Sequence, residues 1–139
     1  MSSVKFLIDA DAIVSLKNPD DSGYEWALNT LKKIRHVESI VYLSSFAYGE
    51  ALTVISMQMG LRMALTVDDL IQESEFVMID VNETFRRQGL KWFAKQTSKN
   101  SRFTDCVNMA VMEKYGVSKV FSRDEHYKKN GFVRLGIDV

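Results

Sequence analysis

The chain of 139 residues has one cysteine, one proline and two histidines. A lone thiol, Cys106, rules out an internal disulfide and fits a reducing compartment. His36 and His126 are too few for a histidine metal site. Pro19 sits in an Asn-Pro-Asp-Asp turn, so no proline-rich linker divides the chain. Net charge is also missing, with 18 Lys+Arg against 18 Asp+Glu. Bulk charge therefore does not advertise a nucleic-acid partner, although a local basic face would suffice for one. No apolar run approaches the roughly 18 residues of a membrane span. Asp9 interrupts the first apolar stretch early, and no export signal is visible. The expectation is a cytoplasmic protein with no membrane segment, folded as one domain over residues 1–139.

What remains is an ordinary globular composition, 46% hydrophobic and 26% charged, organised as short apolar runs between helical patterns. Val4–Ile8 reads as a first strand, Ile40–Leu43 as a second and Phe76–Ile79 as a third. Val120-Phe121 ends a fourth strand, and Phe132–Leu135 is the fifth. Between them, Ser22 could cap a helix through Trp26, Leu31 and Ile34, and Ser44 or Ser45 one that stops at Gly60. A shorter helix covers Thr66–Gln72, Asn82 opens another through Phe85 and Phe93, and Thr104 can cap a largely apolar helix to Tyr115. Alternating strands and helices predict an α/β fold, a three-layer α/β/α sandwich with a central, mainly parallel five-stranded sheet. The strands lack strict polar alternation, as burial on both faces requires.

The acids fall where such a fold gathers chemistry, at the carboxyl ends of strands. Asp9 follows the first strand and Asp124 the fourth. Asp105 opens the helix leading into the fourth strand, and Glu50 lies about one and a half turns into the helix after the second. If strands one and four are neighbours, these four carboxylates converge. So dense a cluster repels itself unless a cation is present, and its oxygen-rich chemistry suits Mg²⁺ or Mn²⁺. That would explain why Asp9 interrupts an otherwise apolar segment.

The pieces "IDADAIVSL", "LSSFAYGEAL", "FTDCVNMAVMEKYGV" and "VFSRDEHYKKNGFVRL", in that order, resemble the PIN-domain family, and within it the VapC-type toxin ribonucleases. The resemblance covers nearly the whole chain. It implies a metal-dependent endoribonuclease cutting single-stranded RNA, the toxin of a type II toxin–antitoxin pair. Asp9, Asp105 and Asp124 would bind Mg²⁺ or Mn²⁺, with Glu50 completing the catalytic acids. An antitoxin partner and a homodimer are family expectations. The chain departs from some relatives in carrying His126 two positions after Asp124, and from others in having Ser122 where they have threonine.

Other residues admit two readings. Asp9 alone could simply cap the next helix. Asp11 reads as a first-turn acid complementing a helix dipole, with metal ligation as the alternative. Asn108, three residues after Asp105 on the same helical face, could hold a metal-bound water or be a plain polar residue. His126 could contact phosphate or cap local structure. Cys106 reads as a small buried hydrophobe, since no basic partner is placed to activate it. Arg87, Lys91 and Lys95 form a helical stripe, extended by Lys99 and Arg102, that would bind an RNA backbone or merely be a solvated face. Lys128 and Lys129 are a smaller candidate of the same kind. Met57, Met59 and Met63 read as core filling, or as an adaptable surface for an antitoxin.

Three rivals compete. "DADAI" hints at the nucleophile motif of haloacid-dehalogenase-type phosphatases, though position 13 is Ile and no late acidic pair follows a Gly-Asp segment. A phospho-receiver would need a phosphoacceptor ending the third strand, for which Asp80 is available. A PIN fold that binds RNA or protein without cutting is the third.

Overall fold

The computed structural model describes residues 3–139; Met1 and Ser2, at the start of the expected domain, lie outside the described residues. Strand β1 (Val4–Ile8) leads to helices α1 (Ala10–Lys17) and α2 (Tyr24–Ile34). Strand β2 (Ser39–Ser44) leads to α3 (Ser45–Met59) and α4 (Leu61–Glu73). Then follow β3 (Val77–Ile79), α5 (Glu83–Ala94), α6 (Phe103–Tyr115), β4 (Lys119–Phe121), α7 (Glu125–Lys129) and β5 (Val133–Arg134).

The five strands are ordered β3-β2-β1-β4-β5 and every neighbouring pair is parallel. Both faces are covered, giving an α/β/α sandwich. Phe6 and Ile8 point to one face, against α1–α4 residues such as Ile13, Ala27, Ile55 and Val67. Leu7, Tyr42 and Val120 point to the other, against Phe85 of α5, Met109 and Met112 of α6, and Tyr127 of α7. Because side chains alternate across a strand, a sheet buried on both sides must be apolar at successive positions. That is why these strands read as unbroken hydrophobic runs. Each fully buried aliphatic side chain contributes on the order of 1.5–3 kcal/mol.

The chain moves outward from β1 through β2 to β3, then crosses back to β4 on the other side of β1. This reversal places the topological switch at the carboxyl ends of β1 and β4, where such sheets open a crevice. Asp9 Nα donates to the Phe121 carbonyl at 3.2 Å, fixing the two strand ends together.

Helix α1 begins directly after β1, with Asp9 as its N-cap and Asp11 in its first turn, as the sequence allowed for both. Several other local expectations are corrected. Gly23, not Ser22, precedes α2, and no side chain caps that helix. Helix α4 starts at Leu61, well before Thr66, where Gly60 turns the chain at φ 95°. Helix α6 starts one residue before Thr104, with Arg102 at the N-cap position. Asp124 caps α7, a helix too short to show a period in sequence. Asp80 follows the edge strand β3, away from the switch, so the receiver geometry is not formed. No helix of the described residues is long and apolar enough to cross a membrane.

Candidate functional site

A cavity of about 600 Å³ opens at the switch point and is lined by Asp9, Asp11, Glu50, Asp105, Ser122 and Asp124, among others. The four acids singled out in sequence, brought from α1, α3, α6 and α7, therefore share one wall. Each reaches it for a local reason. Asp9 and Asp124 are helix N-caps, accepting from Ala10 Nα at 2.7 Å and His126 Nα at 2.9 Å. A carboxylate is favoured there because the first turn of a helix has unpaired N–H groups and a positive dipole end. Asp105 sits in the first turn of α6, and Glu50 one turn further into α3.

Asp105 is 4% exposed and its Oδ2 is buried without a hydrogen-bond partner. Desolvation, then the charges of Asp9 and Asp124, push its carboxyl up to about 10. Asp124 is also penalised by burial. Interaction with the Asp105 carboxyl and hydrogen bonds from His126 more than offset this, leaving Asp124 below the ordinary carboxylate range. The two neighbouring carboxyls are thus shifted in opposite directions, Asp105 up and Asp124 down. Burial raises Asp9 as well, against the lowering effect of its hydrogen bonds. Asp11 is raised to about 7 by burial and by Asp9. Glu50 is raised by partial burial and by Asp9, while Arg102, 3.2 Å away, opposes the shift. Carboxyls raised by one another's charge mark a place that a cation would stabilise.

One carboxylate oxygen each from Asp105 and Asp124 and a ring nitrogen of His126 lie within 4.8 Å of one another, a group able to hold a metal ion. His126 Nδ1 lies 2.7 Å from Asp124 Oδ1. A hydrogen on Nδ1 would donate to Asp124 and leave Nε2 as the ring's acceptor. Asp9 stands beside this group. Its Oδ2 accepts from the Tyr127 hydroxyl at 2.6 Å, which leaves each of its oxygens a lone pair for a ligand.

Sequence reasoning missed Tyr127. Its ring is fully buried, and its hydroxyl accepts from Asn108 Nδ2 at 2.9 Å. Asn108 Oδ1 in turn accepts from Ser44 Oγ at 2.6 Å, and Ser44 caps α3 through Ala47 Nα at 3.1 Å. A buried chain, Ser44 to Asn108 to Tyr127 to Asp9, thus runs beneath the acids and joins α3, α6, α7 and α1. The Asn108 amide points into this chain. Ser122 Oγ accepts from Asp124 Nα at 3.1 Å, and Asp11 Oδ2 accepts from Arg123 Nα at 2.8 Å, together fixing the turn after β4.

The basic stripe divides. Arg102 lines the cavity, whereas Arg87 pairs with Glu83 at 2.6 Å on the exposed face of α5. Lys91 is exposed, Lys95 lies beyond the end of α5 over the Trp92 ring, and Lys99 is in the following loop. Cys106 is buried, and desolvation followed by Asp105 pushes its thiol up to about 11, which suits an inert side chain. Met59 and Met63 pack against the core, while Met57 is 81% exposed.

The PIN-domain profile matches residues 6–133, and the chain belongs to the PIN-domain family. Its fold is similar to that of VapC20 from Mycobacterium tuberculosis, described as a sarcin–ricin loop cleaving toxin, with a TM-score of 0.83 at 20% identity. That match covers 92% of this chain and 96% of the other. FitAcB from Neisseria gonorrhoeae is similar at TM-score 0.64 and 17% identity, covering 94% of this chain and 96% of that one. VapBC2 from Rickettsia felis, bound to a promoter DNA fragment, is similar at TM-score 0.64 and 12% identity over 94% and 97% of the two chains. At such identities the likeness is one of fold. No curated protein sequence matches the chain. The family and the Asp105–Asp124–His126 group together support a metal-dependent, nuclease-like function in general terms.

Proposed function

We propose that the protein is a Mg²⁺- or Mn²⁺-dependent endoribonuclease that hydrolyses single-stranded RNA, and the toxin of a type II toxin–antitoxin pair. The observation that carries the reading is Asp105. Its buried, unpartnered Oδ2 and strongly raised carboxyl sit between two other acids at the switch-point cavity. A divalent cation fits this donor set of hard carboxylate oxygens, and His126 adds a nitrogen that Mn²⁺ tolerates.

Asp105 and Asp124 would hold the cation, with Asp9 and His126 adjoining it, and Glu50 would complete the acidic wall. When bound, such an ion supplies an acidified water and neutralises charge on a phosphodiester. The protein's own part is to fix the ligands. Asp9 is held by Ala10 and Tyr127, Asp124 by its capping bonds, and Asp105 by its helix. Glu50, released from Arg102, is the wall acid with most access to solvent and is placed to take up a proton. Support for the toxin assignment is the fold likeness to VapC20, which is described as a sarcin–ricin loop cleaving toxin. An antitoxin partner, homodimerisation and a cytoplasmic location belong to the same proposal.

The test is cleavage of end-labelled single-stranded RNA with Mn²⁺, Mg²⁺ or excess chelator, beside Asp105→Asn. Cutting that needs metal and vanishes in the variant is the expected result. Equal cutting by both proteins would show the site to be elsewhere.

A further inference from the structure

The cavity wall holds six carboxyls but few cations, so a polyanion must be gripped from specific points. Two arginines line it, Arg102 beside Glu50 and Arg123 on the side of Asp21. We infer that Arg123, working with Arg102, binds the RNA phosphates flanking the one to be cut. This rests on the nuclease reading above and names substrate contacts within it.

Arg123 is built for such a role. Its backbone is clamped, because Arg123 Nα donates to Asp11 Oδ2 at 2.8 Å and its carbonyl accepts from Arg134 Nη1 at 2.9 Å. Arg134 is itself 8% exposed and forked onto Asp138 at 3.0 and 3.2 Å. The guanidinium, in contrast, is lightly held. Nη2 meets Ser22 Oγ at 3.1 Å and Asp21 only at 3.8 Å, and buried Nε has no partner. Its carbon centre lies 5.6 Å from the Trp26 ring centroid, a contact that orients the plane without using its N–H donors. The side chain is 38% exposed and lines the cavity, and of its nitrogens only Nη2 makes a hydrogen bond among the described residues.

Gly23 makes room for this placement. A Cβ there would lie 2.8 Å from Arg123 Cζ and Nη2, and 2.5 Å from Ser15 Oγ. The missing side chain at the start of α2 is a slot occupied by the guanidinium. A planar fork of N–H donors matches phosphate oxygens better than an ammonium does. Arg102 has one acidic partner and is 71% exposed, so it too can exchange that partner for phosphate. The exposed α5 residues Lys91 and Lys95 lie outside the cavity wall and contribute less at the cut.

The test measures binding apart from cutting. Asp105→Asn protein, in chelator, is titrated into a fluorescein-labelled oligouridylate across a range of salt. Adding Arg123→Ala should weaken binding about tenfold or more, the worth of a charged hydrogen-bonded contact. It should also flatten the log–log salt slope by about 0.7, as for one phosphate contact on a single strand. Arg123→Lys should restore the slope but only part of the affinity. Gly23→Ala, which keeps the charge but displaces it, should weaken binding at an unchanged fold by circular dichroism. Lys91→Ala should cost less than Arg123→Ala. If Arg123→Ala binds like its parent while wild-type protein still cuts RNA, the Arg123 assignment is overturned and the nuclease reading stands. If wild-type protein neither cuts nor binds RNA, both fall.

Discussion

The Tyr127 hydroxyl donates to Asp9 Oδ2 over 2.6 Å, joining residues 118 positions apart beneath the acid cluster. Tyr127→Phe keeps the ring but leaves Asp9 Oδ2 and Asn108 Nδ2 without their buried partner. A loss of about 1–3 kcal/mol in stability is expected from urea unfolding. The bond also lowers the Asp9 carboxyl, so its removal should weaken Mn²⁺ binding at neutral pH. Unchanged stability and Mn²⁺ affinity would deny the bond any part in holding Asp9.

Asp105 links stability to pH. Its folded carboxyl, pushed up to about 10, lies above the ordinary value of 3.8. The stabilisation tied to its proton is therefore full below about pH 4 and lost as pH rises toward 10. In chelator, the melting temperature should fall between pH 6 and pH 9, and Asp105→Asn should make that fall smaller, leaving the part due to Asp11. Mn²⁺ should reverse the trend, because metal displaces the proton and its affinity rises with pH. Melting curves with and without Mn²⁺ at both pH values decide this, and parallel slopes in wild type and variant would refute it.

Gly89 allows α5 and α6 to approach closely. A Cβ there would lie 2.9 Å from Val107 Cγ2 and 3.3 Å from Val107 Cα. Helix propensity alone favours Gly89→Ala by about 1 kcal/mol. Overpacking against a stiff valine and its backbone costs about 1–3 kcal/mol, so the packing term wins. The variant should be less stable by chemical denaturation. A gain in stability would mean that the two helices separate freely.

Asp138 is held down to about 2 by hydrogen bonds from the Arg134 side chain and backbone. Its contribution is present above about pH 4 and lost as pH falls toward 2. Asp138→Asn should mimic the acid state at neutral pH, loosening Arg134 and, through the Arg123 carbonyl, the turn after β4. Amide hydrogen exchange at residues 122–126 should quicken. If protection there is unchanged, the Arg134 bridge does not hold that turn.

The acids of the candidate site were legible because their local setting marks them. Asp9 breaks an apolar run, Asp124 follows one, and Asp105 opens a helix, so strand order was all that was needed to place them together. Cys106 was also readable, since an apolar helix without a basic neighbour leaves a thiol inert. Helix α7 was not, because Glu125–Lys129 is too short for its period to register. Nor was the outlook of the basic stripe. The spacing of Arg87, Lys91 and Lys95 describes one helix surface, and nothing local says which way that surface faces.

By itself the sequence determined the alternation of buried strands and helices, a serine cap at Ser44 or Ser45, the cap at Asn82, and the carboxylates at strand ends. Each follows from interactions within a few residues: side-chain periodicity, helix-end N–H groups and turn chemistry. Only the tertiary structure decided that His126 joins Asp105 and Asp124, that Tyr127 and Asn108 support Asp9 from below, and that Arg123 occupies the slot left by Gly23. Those relationships arise where β4 returns beside β1, bringing distant segments into contact, and a linear pattern carries no measure of that distance.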